Sequence, residues 1–241
     1  MGKAFNASVI LPATYNKSAK RYPVIYLLHG YSQNYAGWSK IVPLDKYSDT
    51  FQVIFVCPDG NRNSWYIDSP IKTNSKFETY ISKEVVAFID SAYRTIASVR
   101  GRAIAGSSMG GHGALRILWN NQDRFVAATS ISGILDLTPF AGQWDIAQVI
   151  GTFAGNKRLW QQYSVAWLAR KIDLRQRDIF IDCGIQDPAL ACNRQVHEIL
   201  IERNIVHDYR ESAGGHTPQY VRNAFEYHLI FLMRQLKKAG K

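Results

Sequence analysis

The chain has 241 residues, 46% of them hydrophobic and 20% charged, a balance that excludes a disordered or fibrous protein and fits one α/β domain. Its 29 basic residues against 19 acidic ones give a formal charge of +10. The basic residues are dispersed, with Lys171, Arg175 and Arg177, then Lys237, Lys238 and Lys241, as the densest groups, so a solvated basic surface is expected and no nucleic-acid partner.

From the start, Phe5–Leu11 alternates as a strand does, with no signal peptide ahead of it. Tyr22–Leu28 reads as a buried strand ending at His29-Gly30, and Val53–Cys57 as another, stopped by Pro58-Asp59-Gly60. Phe77, Tyr80, Ile81, Val85, Phe88, Ile89 and Ala92 recur at helical spacing. Arg102–Ala105 is a strand running into Gly106-Ser107-Ser108-Met109-Gly110-Gly111, with a helix predicted over Ala114–Asn120. Strands follow at Val126–Ser132 and Ile179–Cys183, then a helix over Ala189–Arg203, a short strand at His207–Glu211 and a final helix over Gln219–Lys237. Apolar strands alternating with amphipathic helices predict an α/β fold, a mostly parallel sheet covered on both faces. Residues 138–176, with Trp144, Trp160 and Trp167, break the rhythm and are expected to form an insertion within the single domain, over one edge of the site. No apolar run approaches the ~18–20 residues of a membrane-spanning helix.

Gly106-Ser107-Ser108-Met109-Gly110 fits Gly-x-Ser-x-Gly, a weak pattern alone. Its position directly after a buried strand and before a helix makes it a candidate nucleophile elbow, with Ser108 raised above the sheet edge. Glycines suit such a turn because its backbone leaves no room for side chains. A serine hydroxyl needs a base, and the base an orienting acid. In this architecture the order is Ser, then Asp or Glu, then His, on loops after late strands. Asp187 and His216 satisfy that order, each just past a predicted strand. Asp182 is the rival acid but lies within its strand, while His29, His112, His197, His207 and His228 read as structural histidines. The turn after His29-Gly30 places the Tyr31 amide beside the elbow, so the Tyr31 and Met109 N–H groups are the candidate oxyanion hole.

The elbow Gly-Ser-Ser-Met-Gly-Gly-His-Gly-Ala-Leu resembles that of the esterase D family of α/β-hydrolases. So do Leu-Leu-His-Gly-Tyr, Asp59-Gly60 with Ser64-Trp65-Tyr66, Cys183-Gly184 with Asp187, and Gly215-His216. The likeness spans roughly residues 5–235. That group includes S-formylglutathione hydrolases, tributyrin-type esterases, feruloyl and acetylxylan esterases, and mycolyltransferases. The turn after Gly30 reads Tyr31-Ser32-Gln33-Asn34, without the cysteine of the S-formylglutathione hydrolases, and is nearer the tributyrin/feruloyl branch. The resemblance implies Ser108, Asp187 and His216 as the catalytic triad, and Trp65 and Tyr66 lining the site near the acyl group.

The expected function is a serine carboxylesterase that needs no cofactor or metal and acts on short-chain acyl or aryl esters, small or carbohydrate-linked. Its open cleft is bordered by Trp65, Tyr66 and Trp144. An acyltransferase to a sugar hydroxyl and a catalytically silent carbohydrate-binding protein are the alternatives. Cys57, Cys183 and Cys192 are expected to be buried free thiols, a Cys183–Cys192 disulfide being the alternative for an exported protein. The branch usually has a further strand ahead of Phe5–Leu11, so Met1 is expected to be internal to a longer chain and the native location extracytoplasmic.

Overall fold

The strands do not line up in chain order. β1 (Ala7–Ile10), β2 (Val24–Leu28), β3 (Ile54–Pro58), β4 (Arg102–Ser107), β5 (Ala127–Ile131), β6 (Asp178–Gly184) and β7 (Asp208–Ser212) form one sheet in the order β1-β3-β2-β4-β5-β6-β7. Only β1 runs antiparallel, on the edge against β3. The computed structural model describes residues 1–174 and 177–240. Arg175 and Gln176, the end of the expected insertion, and Lys241 of the terminal basic group lie outside the described residues.

The burial of every residue in β2, β3, β4 and β5 explains the unbroken apolar runs: a strand covered on both faces has no solvent side on which to alternate. Side chains of alternating parity feed two layers. Val24, Tyr26, Leu28 and Ile104 point to one, Ile25, Leu27, Ala103 and Ala105 to the other.

The helices are α1 (Gly37–Ile41), α2 (Leu44–Phe51), α3 (Phe77–Thr79), α4 (Val86–Ala92), α5 (Met109–Asn120), α6 (Ala147–Ile150), α7 (Phe153–Tyr163), α8 (Val165–Lys171), α9 (Leu190–Glu202) and α10 (Pro218–Ala239). Helices α5, α8 and α9 contribute to the first layer, and α10, with Trp38 and Leu44, to the second. A π-helical stretch, Tyr80–Val85, joins α3 to α4. The buried stripe there is Phe77, Ile81, Val85, Val86 and Ile89. Phe88 and Ala92, expected on that stripe, face outward, Phe88 at 64% exposure. The wider π turn breaks the 3.6-residue period on which the expectation rested.

Helix α5 begins at Met109, five residues before the predicted start. Gly110, Gly111 and Gly113 are therefore helical despite their low propensity, because the helix packs against the sheet and, at Gly113, against the Tyr66 ring with no room for side chains. A Cβ at Gly110 would lie 2.1 Å from the Leu28 carbonyl oxygen, and one at Gly106 2.1 Å from that of Gly110. From β2 the chain moves outward to β3, and from β4 it moves outward the other way. The carboxyl ends of β2 and β4 thus flank the point where the strand order reverses, which is where open α/β sheets form their crevice.

Candidate active site

Ser108 stands at that point, between β4 and α5, with φ +55° and ψ −119°. A non-glycine residue in this region is strained and is held there by its surroundings. Here the Ser108 N–H is fixed by the Ile131 carbonyl at 3.0 Å, and the Ser108 carbonyl accepts from His112 N–H at 3.1 Å. Asp187 and His216 arrive on the loops after β6 and β7. The Ser108 hydroxyl lies 2.8 Å from His216 Nε2, and His216 Nδ1 lies 3.0 and 2.9 Å from the two Asp187 carboxylate oxygens. A carboxylate only accepts, so Nδ1 carries the proton, and the Nε2 lone pair is left for the Ser108 hydroxyl.

The Asp187 side chain is fully buried and that of His216 is 30% exposed. Burial alone would raise the Asp187 pKa. The hydrogen bond and charge of His216, with the Ala189 N–H at 2.8 Å, outweigh it and hold the carboxyl below its ordinary value. Asp182, the rival acid, is buried inside β6, where the Tyr220 hydroxyl donates to it and Arg210 and His228 lie 3.3 and 3.5 Å away.

Among the described residues, neither the Tyr31 nor the Met109 N–H has a hydrogen-bond partner. Met109 opens α5, where the first amides are unpaired and the dipole is positive. Tyr31 follows Gly30, whose Cβ, were it present, would stand 3.5 Å from that of Ser108. Both amides thus belong to turns that meet at the serine.

The cleft over Ser108 and His216 holds about 200 Å³ and is walled by Tyr31, Ile41, Trp144, Pro218 and Val221. Trp144 is on the wall as expected. Trp65 and Tyr66 are not: both are fully buried behind it. The reason is their hydrogen bonding and packing. Trp65 Nε1–H donates to the Trp144 carbonyl at 3.1 Å, and the Tyr66 hydroxyl to that of His29 at 3.1 Å. They shape the site from beneath. Ser132, missed from sequence, also borders the cleft at the carboxyl end of β5, with φ +50°. Its position after a buried parallel strand was the available signal.

His29 takes a structural role: Gly60 N–H donates to its Nε2 at 2.8 Å, and its Nδ1–H reaches the Gly30 carbonyl at 2.8 Å. His112 is fully buried on α5, its Nε2–H donating to the Tyr163 carbonyl at 2.9 Å, and burial, then Arg116, lowers its pKa to about 4. His197 and His207 pair with each other at 2.7 Å. Cys57, Cys183 and Cys192 are buried free thiols, burial pushing that of Cys192 up to about 11. Among the described residues, no group of three or more His, Cys, Asp or Glu has a geometry suited to a metal, and no helix is long and apolar enough to cross a membrane.

Comparison with known proteins gives a consistent picture. The esterase family model, described as "Putative esterase", matches residues 1–232. An esterase of Mycobacterium tuberculosis (strain H37Rv) is 31% identical across 97% of this chain, which spans 56% of that relative's length. An acetyl esterase of Caldicellulosiruptor saccharolyticus is 27% identical across 84% of this chain and 82% of its own. The solved structure of a ferulic acid esterase superposes with a TM-score of 0.82 at 27% identity, covering 95% of this chain and 92% of that one.

Proposed function

This chain belongs to the esterase family matched above, and from that premise we propose that it is a serine carboxylesterase with Ser108 as nucleophile, His216 as base and Asp187 as orienting acid. One observation carries the reading. A strained serine at the helix mouth lies 2.8 Å from an imidazole nitrogen whose partner nitrogen is held by a buried carboxylate. A serine kept merely for packing would need none of the three.

In the first half-reaction His216 Nε2 takes the Ser108 proton as Oγ attacks the ester carbonyl carbon. The carbonyl oxygen gathers negative charge and is stabilised by the Tyr31 and Met109 amides, donors in place before the charge develops. The tetrahedral intermediate collapses as the carbon–oxygen bond to the alcohol breaks. The alcohol leaves with the proton that His216 returns, and the acyl group stays on Ser108. Water then repeats the sequence, losing a proton to His216 as it attacks, and releases the acid with Ser108 restored. Asp187 stays ionised throughout, holding the Nδ1 tautomer and stabilising the imidazolium.

The substrate class is a short-chain acyl or aryl ester. The roughly 200 Å³ cleft suits a small acyl group, and among the described residues no carboxylate, ammonium or guanidinium group lines it. The acetyl and ferulic acid esterases among similar proteins support the same class.

Hydrolysis of p-nitrophenyl acetate, butyrate and decanoate by wild type and Ser108→Ala tests the reading. Wild type is expected to prefer the two short esters, and Ser108→Ala to lose about 10⁶-fold in kcat, as removal of the nucleophile does in serine hydrolases. Equal rates for the two proteins would refute it.

A further inference from the structure

Tyr31 enters the site twice. Its amide is one of the two oxyanion donors in the esterase reading, on which the present inference rests. Its phenol leaves the turn and crosses to the insertion, where the hydroxyl donates to Asp145 Oδ2 at 2.8 Å. Arg62 Nη2 donates to the same hydroxyl at 3.1 Å, its guanidinium carbon lies 5.4 Å from the ring centroid, and its own carbonyl accepts the Ser32 N–H at 2.8 Å. Three chain segments, the 30–34 turn, the 59–66 loop and the insertion, thus converge on one side chain.

These contacts close into a ring. Asp145 follows Trp144 in the chain, and Trp144 lines the cleft. The Trp144 carbonyl is held by Trp65 Nε1–H. Tyr66, the next residue, returns through its hydroxyl to the His29 carbonyl, two residues before Tyr31. Both dipeptides in the ring are left-handed: Trp65 and Tyr66 at φ +54° each, Trp144 and Asp145 at +47° and +56°. Four non-glycine residues adopt that conformation only where their surroundings over-determine it, and such residues cluster where placement matters. The backbone on either side of Tyr31 is held at Gly30, by Gln33 and by His29 Nδ1–H at 2.8 Å on its carbonyl, and at Ser32 by the Arg62 carbonyl. Among the described residues the Tyr31 N–H has no partner of its own and is steadied at its own residue by the side chain.

We propose that the Tyr31 side chain is a positioning residue: its bond to Asp145 closes a brace that fixes the Tyr31 amide against the cleft wall carried by Trp144. An oxyanion donor acts only when its N–H already points at the charge to come, so a loose turn would forfeit transition-state stabilisation without weakening ground-state binding. Asp145 is the main anchor, because a hydroxyl-to-carboxylate bond is charge-assisted. Arg62 is secondary: its side chain is 64% exposed and its pairing with Asp145 is long, at 3.9 Å.

The test compares kcat and KM for p-nitrophenyl acetate, and the rate of inactivation by a fluorophosphonate, across wild type, Ser108→Ala and the brace variants. Tyr31→Phe and Asp145→Ala are each expected to lower kcat and inactivation about tenfold, with KM within about twofold. The double variant should lose no more than either single one, since both cut the same contact. Asp145→Asn keeps an acceptor for the Tyr31 hydroxyl and should recover most of the loss, and Arg62→Ala should cost less than about threefold. A rise in KM with kcat preserved, additive losses, or unchanged kcat in both single variants would each overturn the brace. Should Tyr31→Phe fail to fold, Asp145→Ala with its Asn counterpart decides the matter, since residue 145 is partly exposed. Hydrolysis by wild type that Ser108→Ala matches would instead remove the esterase reading, and the brace with it.

Discussion

Two aspartates five residues apart, Asp182 and Asp187, are both buried and both face a histidine, yet they occupy different kinds of place. Asp182 lies inside β6, its side chain enclosed between α10 and β7 by Tyr220, His228 and Arg210. Asp187 lies past the end of β6, where its histidine partner continues to a serine at the mouth of a cleft. Burial and charge do not separate the two. The strand end does: only the loops at the carboxyl edge of a parallel sheet bring residues from different strands onto one open surface. The Asp182 cluster ties β6 and β7 to α10, and the Asp187 cluster opens onto the cleft.

The largest expected effect belongs to the loop. Asp187→Asn preserves shape and an acceptor but invites the wrong imidazole tautomer, and kcat should fall about 10⁴-fold. The thermal unfolding midpoint should move little. For Asp182→Ala the pattern should reverse. Losing the carboxylate leaves the Arg210 guanidinium without its counter-charge and the Tyr220 hydroxyl without this acceptor, at a cost of about 3 kcal/mol, or roughly 6–12 °C in Tm for a chain of this size. Its kcat should stay within about tenfold of wild type. Measuring Tm and kcat for both variants checks the comparison, and a 10⁴-fold loss in Asp182→Ala that still folds would erase the distinction.

This distinction was legible in the sequence because it is topological. Asp182 falls inside an apolar run and Asp187 after it, and that is visible without coordinates. Ser108, Asp187 and His216, read from chain order and strand ends, are brought within hydrogen-bonding distance. Local patterns were less informative where packing overrides propensity. Gly110, Gly111 and Gly113 lie ahead of the expected helix start but belong to α5, since the Leu28 carbonyl, the Ser130 hydroxyl and the Tyr66 ring stand where their side chains would be. The family resemblance places Trp65 and Tyr66 on the cleft wall, yet their two consecutive positive φ values turn them inward under Trp144 and His29. The Asp145–Tyr31 contact spans 114 positions and joins a loop to the weakly periodic stretch from residue 138 onward, so no spacing rule could announce it.

The smallest effect concerns acid sensitivity, and it separates the two pockets by the pH at which each begins to fail. His228 is held below its ordinary pKa chiefly by burial and then by Arg210, against the opposing pull of Asp182, while Phe180 stacks on it at 4.3 Å. The unfolded chain takes up that proton below about pH 6.5 and the folded chain resists it, so stability declines as pH falls from there. Asp187 works in a lower window. Its folded pKa lies below the unfolded value of about 3.9, so its stabilisation is complete above that pH and fades as pH falls through the folded value. His228→Gln should therefore flatten the decline in urea-unfolding free energy between pH 7 and 5, leaving the shares of His112, lowered to about 4, and of His197, lowered by burial and then by His207. Asp187→Asn should leave that range unchanged and alter only the slope below pH 4. An identical pH 7 to 5 slope in wild type and His228→Gln would show that the Asp182 pocket does not exclude the proton, and the two pockets would then differ in place alone.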